Sequence, residues 1–111
     1  MAYYDITPTQ LGQAAITTSY VAIYTVPANT RTFVKDVTVV NTTASPINIY
    51  VSLVPSGGTA GTSNAIFYGN VLPGNTTVEW CGAQILNEGG FISVKASAVG
   101  CTAMASGGEA I

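Results

Sequence analysis

The sequence contains no histidine and few charged residues. It therefore lacks an imidazole that could act as a general base near neutral pH, and it has no Ser–His or Cys–His pair. Asp36 and Glu79 could both lie on strands, but a glycosidase pair needs a cleft that a domain this small rarely offers. The other carboxylates, Asp5, Glu88 and Glu109, are scattered along the chain. We expect a protein that is not an enzyme.

Motifs for cofactors and metals are also missing. Gly57-Gly58 and Gly89-Gly90 match no phosphate-binding loop, and no Asp-rich calcium motif occurs. Cys81 and Cys101 do not have the spacing of metal ligands. A disulfide is possible if their strands face each other, but two buried thiols are favoured in a reducing compartment. We expect no cofactor and no metal.

The shortage of positive charge limits the range of partners. Arg31, Lys35 and Lys95 are the only cations, and the net charge is −2. This is too few for a surface that binds nucleic acid or an anionic membrane. No apolar run approaches the ~18 residues of a membrane helix, and residues 1–5 do not resemble the start of a signal peptide. We expect synthesis in a cytosol, without nucleic-acid or membrane partners.

Low charge also indicates association. Only 7% of the residues are charged, against about 25% in an ordinary soluble domain. A monomer with so few surface charges is poorly protected against sticking to its neighbours. The composition therefore favours a subunit that is packed against other subunits.

What the sequence does contain is a repeat at a distance of 46 positions. Val26-Pro27-Ala28-Asn29-Thr30 is matched by Leu72-Pro73-Gly74-Asn75-Thr76, and Val39-Val40-Asn41 by Ile85-Leu86-Asn87. Proline fixes φ, and asparagine tolerates left-handed dihedral angles. Each unit thus predicts a strand, a Pro-Asn turn and a second strand. Reuse of favourable turn chemistry is an alternative to true internal repetition.

Hydrophobic residues alternate with a period of two, and no segment has helical periodicity. About eight strands with turns every 8–12 residues predict an all-β fold, an antiparallel β-sandwich or jelly roll. Residues 1–13 are predicted to be an arm, and residues 14–111 a single sandwich domain.

Alternation also predicts which side chains share a face. In segment 31–41, Phe33, Val37 and Val39 are predicted on one face, opposite Val34, Thr38 and Val40. In segment 46–54, Ile47, Ile49, Val51 and Leu53 point one way. We expect Ile49, Val51, Ile92 and Val94 to be buried together.

Aromatic residues are the candidates for recognition. Tyr20 and Tyr24 are predicted on one strand face, and Tyr50 lies opposite its core-facing neighbours. Such side chains can stack on sugars or fill subunit interfaces. For Trp80 a place in the core is favoured over a role in ligand binding.

Three segments carry a resemblance to a known group of proteins. Segments 24–36, 40–43 and 50–58 resemble small virion proteins of tailed bacteriophages, and the match extends over about residues 20–98. The shared features are turns, strand starts and low charge. The resemblance implies a β-sandwich subunit that decorates (cements) a capsid or belongs to a tail, works as a multimer and has no catalytic residues.

The sequence thus predicts a virion protein, assembled in the host cytoplasm, that cements the phage head through multivalent contacts. Its expected partners are the major capsid protein, other virion subunits and copies of itself, as a dimer or a trimer. The alternative is a tail or fibre module that binds host glycans through exposed tyrosines. Contacts are predicted in segments 1–12, 55–64 and 106–111, with seven candidate residues: Tyr3, Tyr4, Ile6, Leu11, Tyr50, Gly57 and Gly58.

Overall fold

A computed structural model describes residues 6–111. This part of the chain is all-β, with eight strands and one short 3-10 turn at Thr62–Asn64. The strands are β1 Ile6–Ala15, β2 Val21–Thr25, β3 Arg31–Asn41, β4 Ile47–Val54, β5 Ala65–Leu72, β6 Thr76–Leu86, β7 Phe91–Ala96 and β8 Cys101–Ala110. No helix in this range is long and apolar enough to cross a membrane.

The strands form two antiparallel sheets of four. The first sheet has the order β1-β8-β3-β6, and the second has the order β2-β7-β4-β5. The first strand therefore pairs with the last, the second with the seventh, the third with the sixth and the fourth with the fifth. This is the topology of a jelly roll, in which a long hairpin is rolled into two facing sheets. The predicted antiparallel sandwich is confirmed.

The core lies between the sheets and consists mainly of aliphatic side chains. Ile49, Val51, Ile92 and Val94 are all buried in it, as the alternation predicted. Val51 is paired directly with Val94 across β4 and β7. These β-branched residues fit the interior of a pleated sheet well, so local propensity and burial agree.

One predicted strand face is wrong because β3 contains a bulge. Relative to β8, Lys35 is an extra residue between Val34 and Asp36. An extra residue inverts the in–out alternation on one side of it. Val34 is therefore buried together with Val37 and Val39, whereas Phe33 points out of the sandwich and is only partly buried.

The two Pro-Asn turns are confirmed and have the same local structure. Among the described non-glycine residues only Asn29 and Asn75 have positive φ, at 56° and 54°. After each of them a threonine hydroxyl donates a hydrogen bond of 3.0 Å to the carbonyl two residues earlier, Thr30 to Ala28 and Thr76 to Gly74. Each turn leads from the second sheet to the first, since β2 and β5 belong to one sheet and β3 and β6 to the other.

The predicted arm and tail are mostly strands. Of residues 1–13, residues 6–13 lie in β1, which pairs with β8, and residues 1–5 lie outside the described residues. Segment 106–111 likewise belongs to β8 except for Ile111. Pro8 and Gly12 suggested an irregular lead-in, but β1 is an edge strand, where proline is tolerated. At Gly12 a Cβ atom would lie 2.4 Å from the carbonyl oxygen of Ile23, so close packing against β2 requires glycine.

Candidate functional site

A cluster of three tyrosines and a lysine covers the outer face of the second sheet. Tyr50 on β4 is paired with Tyr68 on β5 and with Lys95 on β7. The ring of Tyr50 lies 5.1 Å from that of Tyr68 and 6.5 Å from that of Tyr20, centroid to centroid. The Lys95 ammonium lies 4.5 Å from the Tyr50 centroid and 4.9 Å from that of Tyr20. We call this group the tyrosine cluster.

The geometry of the tyrosine cluster favours contact with a protein over stacking on a sugar chain. The ring planes of neighbouring tyrosines meet at 75° and 89°, so the rings present no common flat surface. Lys95 already occupies ring faces of Tyr20 and Tyr50 through cation–π contacts. Tyr68 is 54% exposed and remains the most accessible ring. Tyrosine rings with free hydroxyls and edges are typical anchors of protein interfaces.

Tyr24 does not share a face with Tyr20, contrary to the sequence prediction, and so lies outside the tyrosine cluster. The pairing of β2 with β7 shifts between Ala22 and Tyr24, so Tyr24 faces inward whereas Tyr20 faces outward. The Tyr24 hydroxyl lies 2.7 Å from the Thr32 hydroxyl and donates a hydrogen bond to Glu109 Oε2. Burial, reinforced by the bond to Glu109, raises the pKa of Tyr24 to about 12. This group therefore connects the two sheets rather than serving recognition.

An apolar groove crosses the outer face of the first sheet. Its volume is about 330 Å³, and Lys35 provides the single charge on its lining. The remaining lining residues come from β1, β3, β6 and β8 and are Ile6, Pro8, Phe33, Ala83, Gly107 and Gly108. We call this depression the sheet groove. Of its lining residues, the sequence predicted only Ile6 as a contact, because the bulge at Lys35 is what turns Phe33 outward. An exposed apolar depression of this kind is typical of an interaction surface.

The loop at residues 55–64 has a defined shape. Gly58 N–H donates to the Pro55 carbonyl at 2.9 Å, which closes a turn in which Gly57 has φ 78°. The Asn64 side chain accepts a bond from Gly61 N–H and donates one to the Thr59 carbonyl, both at 3.0 Å. Gly57 and Gly58 are exposed at the tip. The loop can thus present backbone groups to a neighbour without first becoming ordered.

The candidate contact residues lie in different places. Ile6 is 59% exposed and lines the sheet groove, and Tyr50 is the centre of the tyrosine cluster. Leu11 is only 6% exposed and packs in the core, which leaves little of its side chain for a partner. Tyr3 and Tyr4 lie outside the described residues. Trp80 is half-buried and packs against the core, in agreement with its predicted role.

Both cysteines are free thiols, so the alternative of a disulfide is wrong. Cys101 is buried as predicted, but Cys81 is exposed on the outer face of the first sheet. Its sulfur and carboxylate oxygens of Asp36 and Glu79 all lie within 4.8 Å of one another. The hydrogen bond to Glu79 raises the pKa of the Cys81 thiol. The thiol therefore stays protonated at neutral pH, a form that is a weak nucleophile and a poor metal ligand.

Comparison with known proteins shows that this chain resembles parts of two viral chains in its fold. No protein-family model matches the chain, and no curated protein matches its sequence. A chain in the structure of infectious bursal disease virus, Gx strain, is 11% identical with a TM-score of 0.55, over 96% of this chain and 32% of the viral one. A chain in the crystal structure of the T13 particle of the same virus is 10% identical with a TM-score of 0.56, over 96% of this chain and 30% of the viral one. This chain thus spans about a third of each viral chain, and at these identities the likeness concerns the fold.

Proposed function

We propose that this protein is a non-enzymatic structural subunit of a virus particle, and specifically that it decorates and cements the head of a tailed bacteriophage. The observation that carries the virion role is the jelly roll itself, which aligns over 96% of its length with part of a chain from an icosahedral viral particle. The choice of a phage and of the head comes from the resemblance of segments 24–36, 40–43 and 50–58 to small phage virion proteins. Low charge, the apolar sheet groove and the tyrosine cluster support the same role.

Cementing of this kind needs binding but no chemistry. A subunit that contacts two neighbouring capsid proteins adds buried surface that must be separated before the shell can open. Several weak contacts per subunit, repeated over the lattice, combine into strong attachment. Because few charges take part, such attachment depends little on ionic strength.

The partners are the major capsid protein, other virion subunits and further copies of this chain, assembled in the host cytoplasm. The sheet groove offers an apolar depression to a protruding side chain of the shell. The tyrosine cluster on the opposite face of the sandwich and the loop at residues 55–64 offer further contacts. A subunit with contact surfaces on both faces can bridge two neighbours, which is what cementing requires.

A binding experiment tests this function. Purified protein is added to heads that lack it, and occupancy is measured by quantitative mass spectrometry of sedimented particles. We expect saturable binding that Phe33→Glu in the sheet groove reduces about tenfold or more, because it places a charge in an apolar contact. Val99→Glu, at an exposed position outside the groove lining, is the matched control. Exclusive recovery of the protein from isolated tails would overturn the capsid assignment.

A tail or fibre module that binds host glycans is the second candidate, favoured by the accessible ring of Tyr68 beside Tyr50. A glycan array probed with wild type and with Tyr68→Ala separates the two functions. Glycan binding that Tyr68→Ala abolishes would favour the tail module, whereas the cement function predicts no specific glycan signal.

A further inference from the structure

The outer edge of β6 is an open sheet edge. In the part of the chain that the structure describes, β6 pairs with β3 on one side and with no strand on the other. An unpaired edge carries a row of backbone N–H and C=O groups that can accept another strand. Over residues 76–81 the pairing of β6 with β3 is regular, and this stretch contains no proline, lysine or glycine.

The other three edges carry features that hinder pairing. β1 contains Pro8, shifts its register between Gln10 and Gly12, and packs closely against β2. β2 has five residues and a register shift of its own. β5 shifts its register against β4 twice and contains Gly69 with φ 70°. The regularly paired stretch of β6 at residues 76–81 therefore offers the best edge for pairing with another strand.

β6 differs from β3 in its exposure, although the two strands follow equivalent Pro-Asn turns. Thr32 and Val34 lie three and five residues after Asn29, as Val78 and Trp80 do after Asn75. Thr32 and Val34 are completely buried on a strand that β8 flanks. Val78 and Trp80 also pack against the core but are only half-buried. β3 thus has a second neighbouring strand, and β6 has none among the described residues.

The loop at residues 55–64 adds no strand to this edge. It closes on itself through Asn64 and lies against the second sheet, where the hydroxyl of the buried Ser52 is 3.5 Å from the Gly61 carbonyl. No described strand pairs with the outer edge of β6, so this position is open to a strand of another molecule.

We propose that the outer edge of β6 pairs with the same edge of a second copy of this chain, antiparallel and about a two-fold axis. Each copy then fills the open position of the other, and two four-stranded sheets join into one continuous sheet. The half-buried Val78 and Trp80 of each copy are covered by the partner. This junction goes beyond the proposed function, since a decoration subunit could bind a shell without it, and it leaves the tyrosine cluster free.

Side-chain direction and charge limit the choice of register, and we place the two-fold axis at Val78. Directly opposed residues in an antiparallel pair point to the same face, so an inward residue must oppose an inward residue. Val78 opposite the partner's Val78 satisfies this condition and places Glu79 opposite the partner's Thr77. If the two-fold axis passed through Glu79, one residue nearer the C-terminal end of β6, Glu79 would lie opposite the Glu79 of the second copy. Two like charges in that position are unfavourable.

Two charge variants at one exposed position test this register. Thr77→Glu places a carboxylate opposite the partner's Glu79 twice per dimer, and Thr77→Lys places an ammonium there. The neighbouring Glu79 of the same strand is present in monomer and dimer alike, so its effect largely cancels. By sedimentation equilibrium we expect wild type to dimerise, Thr77→Glu to weaken the dimer about tenfold, and Thr77→Lys to strengthen it. Thr102→Glu, on the same face but on β8, is the control and should change the dissociation constant less than about twofold.

A disulfide provides an independent test that does not depend on affinity. In a Cys81→Ser background, Val78→Cys places two thiols across the axis, where mild oxidation should yield a covalent dimer. Val71→Cys, at a 63% exposed position on the β5 edge, is the matched control. Three results would each overturn the proposal. The first is a wild type that stays monomeric at about 100 μM. The second is an equal effect of Thr77→Glu and Thr77→Lys on the dimer, and the third is no more cross-linking at Val78→Cys than at Val71→Cys. Binding of such a monomeric protein to heads would leave the proposed function intact.

Discussion

The hydroxyl of Tyr24 donates a hydrogen bond of 2.5 Å to Glu109 Oε2. Tyr24 lies on β2 of the second sheet and Glu109 on β8 of the first, so this bond bridges the two layers of the sandwich. Thr32 on β3 lies 2.7 Å from the same hydroxyl. This polar contact thus links the two sheets across a core that is mainly aliphatic.

Removing this hydroxyl should destabilise the fold. Tyr24→Phe keeps the ring but leaves a part-buried carboxylate without its donor, which costs about 1–3 kcal/mol of unfolding free energy. Urea denaturation followed by tryptophan fluorescence measures the change. Tyr68→Phe removes an exposed hydroxyl and should cost less than about 0.5 kcal/mol. Equal stability of the Tyr24 and Tyr68 variants would contradict a structural role for the bond.

Alkaline conditions should weaken the same contact. The pKa of Tyr24 is raised from 10.0 to about 12, mainly by burial and then by Glu109. The folded state holds this proton more tightly than the unfolded state, so the contribution is complete below pH 10 and is lost as the pH rises through about 12. We expect the urea midpoint of wild type to fall more steeply over this interval than that of Tyr24→Phe. Parallel curves for the two proteins would contradict the assignment.

The core prediction concerns Val51 and Ile92. Truncating either to alanine removes fully buried methyl groups and leaves a cavity, at a cost of about 2–4 kcal/mol. Val99→Ala, at an exposed position, is the control and should change stability by less than about 0.5 kcal/mol. Thermal or urea unfolding provides the measurement. A cost below this level at both core positions would show that the strand register is wrong.

The left-handed conformation at Asn29 and Asn75 should depend on the residue type. Asn29→Ala and Asn75→Ala keep a Cβ atom at positive φ but remove the short polar side chain that makes asparagine tolerant of this conformation, and each should destabilise the protein by about 1 kcal/mol. Asn29→Gly and Asn75→Gly keep that conformation without strain and should be close to neutral. Chemical denaturation of the four variants tests this, and alanine variants as stable as the glycine variants would refute it.

The thiol of Cys81 should become more reactive when Glu79 loses its charge. Glu79 raises the pKa of this thiol through a hydrogen bond and its charge. Glu79→Gln should therefore lower that pKa and increase the rate of iodoacetamide alkylation at neutral pH, because the thiolate is the reactive form. Cys101 is buried and serves as the internal control, since it should react only on unfolding. Unchanged alkylation at Cys81 would show that Glu79 does not control it.

Local chemistry explains the features that could be predicted from the sequence. The turns at Asn29 and Asn75 depend on residues that are adjacent in the chain, and so does the alternation that buries Val51 and Ile92. The errors occur at bulges. Lys35 is an ordinary strand residue in the sequence, and its status as an extra residue depends on how β3 pairs with β8, about 70 residues away.

The candidate site was harder to predict for the same reason. Phe33 contributes to the sheet groove only because the bulge at Lys35 turns it outward. Tyr24 and Glu109 are 85 residues apart in the chain, and no local pattern indicates that they meet. Leu11 looked like part of an arm because Pro8 and Gly12 flank it, although its burial follows from the pairing of β1 with β8.

The pairing of β1 with β8 also determines when the protein can fold during synthesis. Ile6 is paired with Ala110, and β8 lies between β1 and β3 in the first sheet. Until β8 has left the ribosome, neither β1 nor the adjacent edge of β3 has its neighbour, and the valines of β3 remain uncovered. Folds dominated by such distant pairings form slowly, in milliseconds to seconds. The nascent chain is therefore exposed to aggregation until β8 emerges, and the first sheet closes only after translation of β8.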